Sequence, residues 1–259
     1  MSLPLTWQPN RLPFDLGPGT TAALAIALLG AAFVRGYSGF GFSAIFIAFA
    51  ALLTNPLPLI PVIFACEITM TAFQARGIRS HIDWPRALAL LAGAAVALPL
   101  SVSVMLSIGV ENARLAISAI VGVMALVLLS GWTLTQPIAT RGNMVVGVVA
   151  GLANGAGVGG LPVAASMAAQ PIPAPVFRAT MIVFLTGIDI MSLPLLYRGG
   201  LVNGETVIGL ALAFPILAVG VFLGGRQFLS ASPSTFKRFA VMLLLALSAM
   251  GLLRALARI

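Results

Sequence analysis

A polytopic α-helical membrane protein built from two similar halves is the fold class that the sequence predicts, and three observations predict it. The 259-residue chain is 60% hydrophobic and only 8% charged, with a mean hydropathy of +1.09. A soluble domain carries roughly 25% charged residues. Apolar runs of about 20 residues recur along the chain, without the alternation that barrel strands need. Finally, two of these runs are interrupted in matching places by glycine-rich breaks, Arg35-Gly36-Tyr37-Ser38-Gly39-Phe40-Gly41-Phe42 and Asn154-Gly155-Ala156-Gly157-Val158-Gly159-Gly160.

Residues 1–19 read as a short Pro-rich tail, without the basic, apolar and small-residue order of a signal peptide. The first broken stretch covers about 34 residues, roughly 50 Å as helix, which is too long for one span and short for two. It is expected to form two part-length helices, about 20–34 and 42–54, joined by a bend. Irregular backbone at membrane depth is tolerated only against protein or a water-filled cavity. Asn55-Pro56-Leu57-Pro58 is a turn. A helix at about 59–75 leads into a polar loop at 76–86, and spans at about 87–107 and 114–132 complete a first repeat, 20–132.

After a linker at 133–143 the order recurs in a second repeat, 144–259: a broken stretch (144–170), a Pro turn, a polar-studded helix (176–196), and spans at about 206–228 and 236–256. Local matches support the repeat. Arg76-Gly77 corresponds to Arg198-Gly199, and nine residues before each Arg stands an acid, Glu67 or Asp189. If each broken stretch enters and leaves on one side, each half crosses three more times, so the second half is inverted. Loop charges follow: Arg76, Arg79, Arg86, Arg141, Arg226, Lys237 and Arg238 collect on one side, the expected cytoplasmic one.

The net charge of +8 is scattered over short loops and helix ends, so it is no nucleic-acid footprint. One cysteine, Cys66, excludes a disulfide within the chain and a metal-thiolate cluster. His81, the only histidine, is expected in an interfacial loop. No nucleophilic triad, HExxH, CxxC or Walker pattern occurs, so neither an enzyme nor a cofactor or metal is expected.

Arg35, Glu67, Arg178 and Asp189 fall within or at the edge of apolar segments, where charge is expensive and faces a cavity or partner. Glu67, Thr71 and Gln74 share one helix face by spacing, as do Arg178, Thr186, Asp189 and Ser192. Part-helix ends leave N–H groups unpaired, and glycine lets a ligand approach them. The candidate anion site is therefore Arg35, Gly36, Tyr37, Ser38 and Gly39 from the first break, Asn154, Gly155, Gly157 and Gly159 from the second, and Arg178. Glu67 and Asp189 are candidate coupling acids. Competing readings stay open: glycines that only pack helices, a structural ion pair, a passive anion channel, or a non-transporting membrane assembly or sensor protein.

The first break resembles the first-repeat signature of the TauE/SafE family of sulfite and organosulfonate exporters, as do the helix carrying Glu67 and the loop His81-Ile82-Asp83-Trp84. Gly151-Leu152-Ala153-Asn154-Gly155-Ala156-Gly157-Val158-Gly159-Gly160-Leu161-Pro162, followed by Phe177-Arg178-Ala179-Thr180, resembles the second. Phe42 and Ser43 stand where the family often continues with glycine, and Val202-Asn203-Gly204 replaces Asp83-Trp84, which implies loops that are not equivalent. The resemblance implies a multi-pass transporter of the bacterial inner membrane. It would export a small sulfur-containing anion such as sulfite or sulfoacetate, with protons as an expected coupling partner and oligomeric state open.

Overall fold

Proline and glycine set the boundaries of the helices. In this computed structural model residues 13–228, 242 and 244–253 are described, and every regular element among them is helical. The helices are α1 (Pro18–Ser38), α2 (Phe42–Leu53), α3 (Ile60–Ile78), α4 (Trp84–Ser107), α5 (Gly109–Leu129), α6 (Thr140–Asn154), α7 (Gly160–Ala168), α8 (Ala174–Arg198), α9 (Gly204–Phe228) and α10 (Leu244–Leu253). Prolines open α1, α3, α4 and α8 in their first turn, where the missing N–H would have no partner anyway. Residues 1–12 of the expected tail, and 236–241, 243 and 254–256 of the expected last span, lie outside the described residues.

Six helices, α1, α3, α4, α5, α8 and α9, are long and apolar enough to cross a membrane. Their outward faces carry bare apolar side chains, such as Ile26 at 73% and Val96 at 77% exposure. Such a surface suits lipid rather than water. The protein is a multi-pass helical membrane protein.

The first broken stretch differs from expectation in where it bends. α1 runs on through Arg35, Gly36, Tyr37 and Ser38, so these sit in its last turn, and only Gly39-Phe40-Gly41 is irregular. At 21 residues, or about 31 Å, α1 is a full-length helix rather than a part-length one. Gly39 ends it at φ 80° with its N–H bonded to the Arg35 carbonyl, and Gly41 starts α2 at φ 90°. In the second stretch both pieces are short: α6 has 15 residues and α7 has 9. α6 also begins inside the expected linker, and α3 continues through the backbone of Arg76-Gly77 to Ile78.

Helices of each half pack against the other half. α1 lies along α9, α6 along α4, and α3 against α8. Glycines set the close pairs: a Cβ at Gly36 would meet the Val221 carbonyl oxygen at 2.5 Å, and one at Gly151 the Ala94 carbonyl at 2.6 Å. α3 and α8 run antiparallel, since Thr71 pairs with Thr186 while Ile78 packs on Ala179 and Ile182. Loops gather at two ends. At one, Arg114 bonds the Thr54 carbonyl and Gly199 meets Leu106; at the other, Leu134 bonds Ala169, Ile138 bonds Gln170, and Asp83 bonds Thr180.

The loops before α4 and α9 differ in sequence yet do the same work. The Asp83 carboxylate accepts from the Arg86 N–H at 3.1 Å, and the Asn203 side-chain oxygen accepts from Glu205 and Thr206 N–H at 3.0 and 3.2 Å. As helix caps, the two loops are thus equivalent.

Candidate functional site

Where α1 ends, α3 and α8 supply a buried polar cluster. Arg35 is 0% exposed, and its Nη1 lies 3.4 Å from Glu67 Oε1, which is 1% exposed. Arg35 Nη2 reaches Thr71 Oγ1 at 3.5 Å, and the Thr71 and Thr186 hydroxyls are 2.6 Å apart. Asp189, also buried, lies beside Glu67 and within the field of Arg35. The Asp189 carboxyl group lies within hydrogen-bond reach of the Glu67 carboxyl group, so the two can share a proton. Beyond that contact neither Asp189 oxygen, Glu67 Oε2 nor Arg35 Nε has a hydrogen-bond partner among the described residues. Buried polar atoms left this way ordinarily mark water, an ion or a ligand.

Arg178 completes the charge set. It stands in the second turn of α8, close enough to Arg35 for their like charges to interact, and its Nη2 donates to the Gly36 carbonyl at 2.8 Å. It lies directly against the bend: a Cβ at Gly39 would meet Arg178 Cγ at 2.7 Å. Two cations and two acids from α1, α3 and α8 therefore share one region, in which Arg35, Glu67 and Asp189 are buried and Arg178 is partly exposed. With all four ionised their charges cancel.

The remaining expected residues are placed as follows. Tyr37 is buried in the last turn of α1. The Ser38 hydroxyl is tied up by backbone, with the Val34 and Phe40 carbonyls at 2.8 and 2.9 Å. Asn154 ends α6 and donates through Nδ2 to Ser192 Oγ at 2.9 Å, one turn along α8 from Asp189. Gly155 faces the Ser101 backbone of α4, Gly157 (φ 75°) faces Ile47 and Ile60, and Gly159 faces the Asn154 side chain. The second break thus joins the cluster through Asn154 and Ser192, while its glycines admit neighbouring atoms. Thr71, Thr186 and Ser192 were visible as polar members of the two helix faces, but spacing alone does not tell which of them bond each other.

Cys66 is fully buried and packs among apolar side chains, and His81 sits in the exposed turn with Ser80 as its hydrogen-bond neighbour. A separate pocket of about 100 Å³ opens between α5 and α7, at Val127, Trp132 and Ala169. No cluster residue lines it, and no charged side chain does.

A helical membrane bundle with broken helices and a balanced set of charges at a break, three of them buried and Arg178 partly so, defines the class: a membrane transport protein. The chain belongs to the TauE/SafE family, since the family model described as Sulfite exporter TauE/SafE matches residues 23–251. Neither a curated protein nor a solved structure matches the chain.

Proposed function

We propose that the protein is a secondary transporter that exports a small sulfur-containing oxyanion, sulfite or an organosulfonate such as sulfoacetate, across the bacterial inner membrane. The observation that carries this reading is the Arg35–Glu67 pair, 0% and 1% exposed, with Asp189 beside it at the α1–α2 bend. Family membership supplies the substrate class.

Charge balance gives a mechanism. With Arg35, Arg178, Glu67 and Asp189 all ionised the cluster is neutral, and an added anion meets no net attraction. A proton on Glu67 or Asp189 leaves one positive charge in excess, which matches a monovalent anion such as hydrogensulfite; protons on both leave two, which match a dianion such as sulfoacetate. Arg35 and Arg178 then hold the oxygens, with N–H groups of the α1–α2 bend and Asn154 as further donors. Loss of the proton expels the anion. Such a cycle moves proton and anion together, so export carries a proton outward and runs on the anion's own outward gradient.

Two inverted repeats, 20–132 and 144–259, suit alternating access by rocking of one half against the other. The antiparallel course of α3 and α8, and the exchange of partners in α1–α9 and α4–α6, support that arrangement.

The test uses purified protein in proteoliposomes with sulfite or sulfoacetate inside. Efflux is expected to follow an imposed proton gradient and to fall at least tenfold in Arg35→Met. Efflux that ignores both the gradient and the substitution would leave a passive channel or a non-transporting protein as the better reading.

A further inference from the structure

Gln74 is a buried polar side chain near the cluster that the mechanism above leaves without a task and that no neighbour among the described residues engages. It is 8% exposed, and neither its amide nitrogen nor its amide oxygen has a hydrogen-bond partner among the described residues. Leaving both ends of a buried amide unpaired is costly, and in a well-packed protein it calls for an occupant.

Its place in α3 says what the occupant meets. Seven residues after Glu67, Gln74 has turned about 700°, so it points within roughly 20° of the Glu67 direction and about two turns further along the axis. Thr71, between them, touches Arg35 and Thr186. Beyond Gln74 on the same helix, Ile78 packs on Ala179 and Ile182 of α8. Gln74 is therefore bracketed by Thr186 on one side and the start of α8, with Arg178, on the other. Polar groups continue in this direction from the acids. In the opposite direction they stop at Ser192 and Asn154, which bond each other, and the next turn of α8 presents Leu196, which is 2% exposed.

We propose that Gln74 is a substrate contact: its amide receives the oxyanion on the way between Arg178 and the Arg35–Glu67–Asp189 cluster. The nitrogen donates to an anion oxygen. The amide oxygen accepts from a protonated oxygen of the anion or from a water that travels with it. An oxyanion that still carries a proton satisfies both atoms at once, whereas a sulfonate satisfies the donor alone.

This inference rests on the anion-transport reading, and one experiment separates the two. Thermal unfolding of the detergent-purified full chain is followed against increasing sulfite and, separately, methanesulfonate, for the native protein, Gln74→Leu and Gln74→Met. A ligand that binds only the folded state raises the unfolding temperature. Both variants keep the volume but lose the amide, so their ligand-free unfolding temperatures should equal or exceed that of the native protein. Their apparent affinity for sulfite should be about tenfold weaker or worse, the usual effect of losing a hydrogen bond to a charged group. Equal affinity in all three proteins overturns the role of Gln74 and leaves the transport reading intact. So does a drop of many degrees in both ligand-free variants, which would make the amide part of the fold. No response of the native protein to either anion overturns the transport reading and this inference with it.

Discussion

Arg35 and Asp189 make opposite demands on the fold, and each predicts a different mutant. Arg35 is the guanidinium facing two buried carboxyl groups, with Glu67 Oε1 at 3.4 Å. Removing one partner of a buried pair strands the other, which typically costs 3–5 kcal/mol. Arg35→Met should therefore lower stability by about 3–5 kcal/mol, and adding Glu67→Gln to it should recover part of that loss. Unfolding of both single variants and the double variant checks this; strictly additive losses would mean that the pair is not coupled. Asp189 is the reverse case, because its carboxyl group adjoins that of Glu67 and bonds no cation among the described residues. Asp189→Asn removes one of two adjoining buried carboxyl groups, so stability should stay level or rise. Transport, in the proposed mechanism, should lose its dependence on the proton gradient. A destabilised Asp189→Asn with unchanged gradient dependence would make Asp189 structural. Both acids and both arginines were legible in the sequence as charges in apolar helices. The saturation of Ser38 by the Val34 and Phe40 carbonyls was not, because a sequence displays a hydroxyl but not what already occupies it.

Among the elements, glycine has two separable uses, and substitutions tell them apart. Gly39 and Gly41 hold left-handed backbone at φ 80° and 90°. A Cβ at Gly41 would meet nothing nearer than Val34 Cγ1 at 3.5 Å, so Gly41→Ala should cost only the backbone strain, about 1–2 kcal/mol. Gly39→Ala should cost more and also weaken anion binding, because its methyl would push on Arg178 Cγ at 2.7 Å. Unfolding temperature and anion affinity, measured together, should separate the two; equal effects on both would remove the bend from the site. Gly147 illustrates the other use. It is helical, and its Cα faces the Leu90 backbone of α4, so Gly147→Ala should part α4 and α6 at about 1–3 kcal/mol. The helices themselves were legible from apolar length and proline punctuation. The end of α1 was not, because Gly36 in sequence reads as a break. In the folded chain it stays helical, and its missing side chain admits the Val221 carbonyl of α9, a partner 185 residues away in sequence.

For the whole molecule, the arrangement of its ends turns the parity argument into a measurable sidedness. Loops at 54–58, near 108 and at 199–203 share one end through the Arg114–Thr54 bond and the Gly199–Leu106 approach. Loops at 79–83, 130–139 and 169–173 share the other through Asp83–Thr180, Leu134–Ala169 and Ile138–Gln170. Arg79, Arg86 and Arg141 stand at this second end, so it should face the cytoplasm. Cys66 is the single cysteine and is fully buried, so Cys66→Ala gives a clean background for added thiols. Ser80, Ser107 and Ser130 are exposed at loop edges and outside the polar cluster. In that background, Ser80→Cys and Ser130→Cys should react with a membrane-impermeant maleimide only in inside-out vesicles. Ser107→Cys should react only in right-side-out vesicles. Polar groups line the way from the paired acids toward the Ser80 end, through Thr71, Gln74 and Arg178, whereas Leu196 closes the other way. In the proposed transport cycle the structure, whose cluster is buried, is then a closed state that loads from the cytoplasm along that row. Labelling of Ser80→Cys and Ser107→Cys from the same face would break the inverted arrangement, and with it the direction of loading. Labelling on opposite faces, but with Ser80→Cys outside, would keep the inversion and turn the loading state toward import.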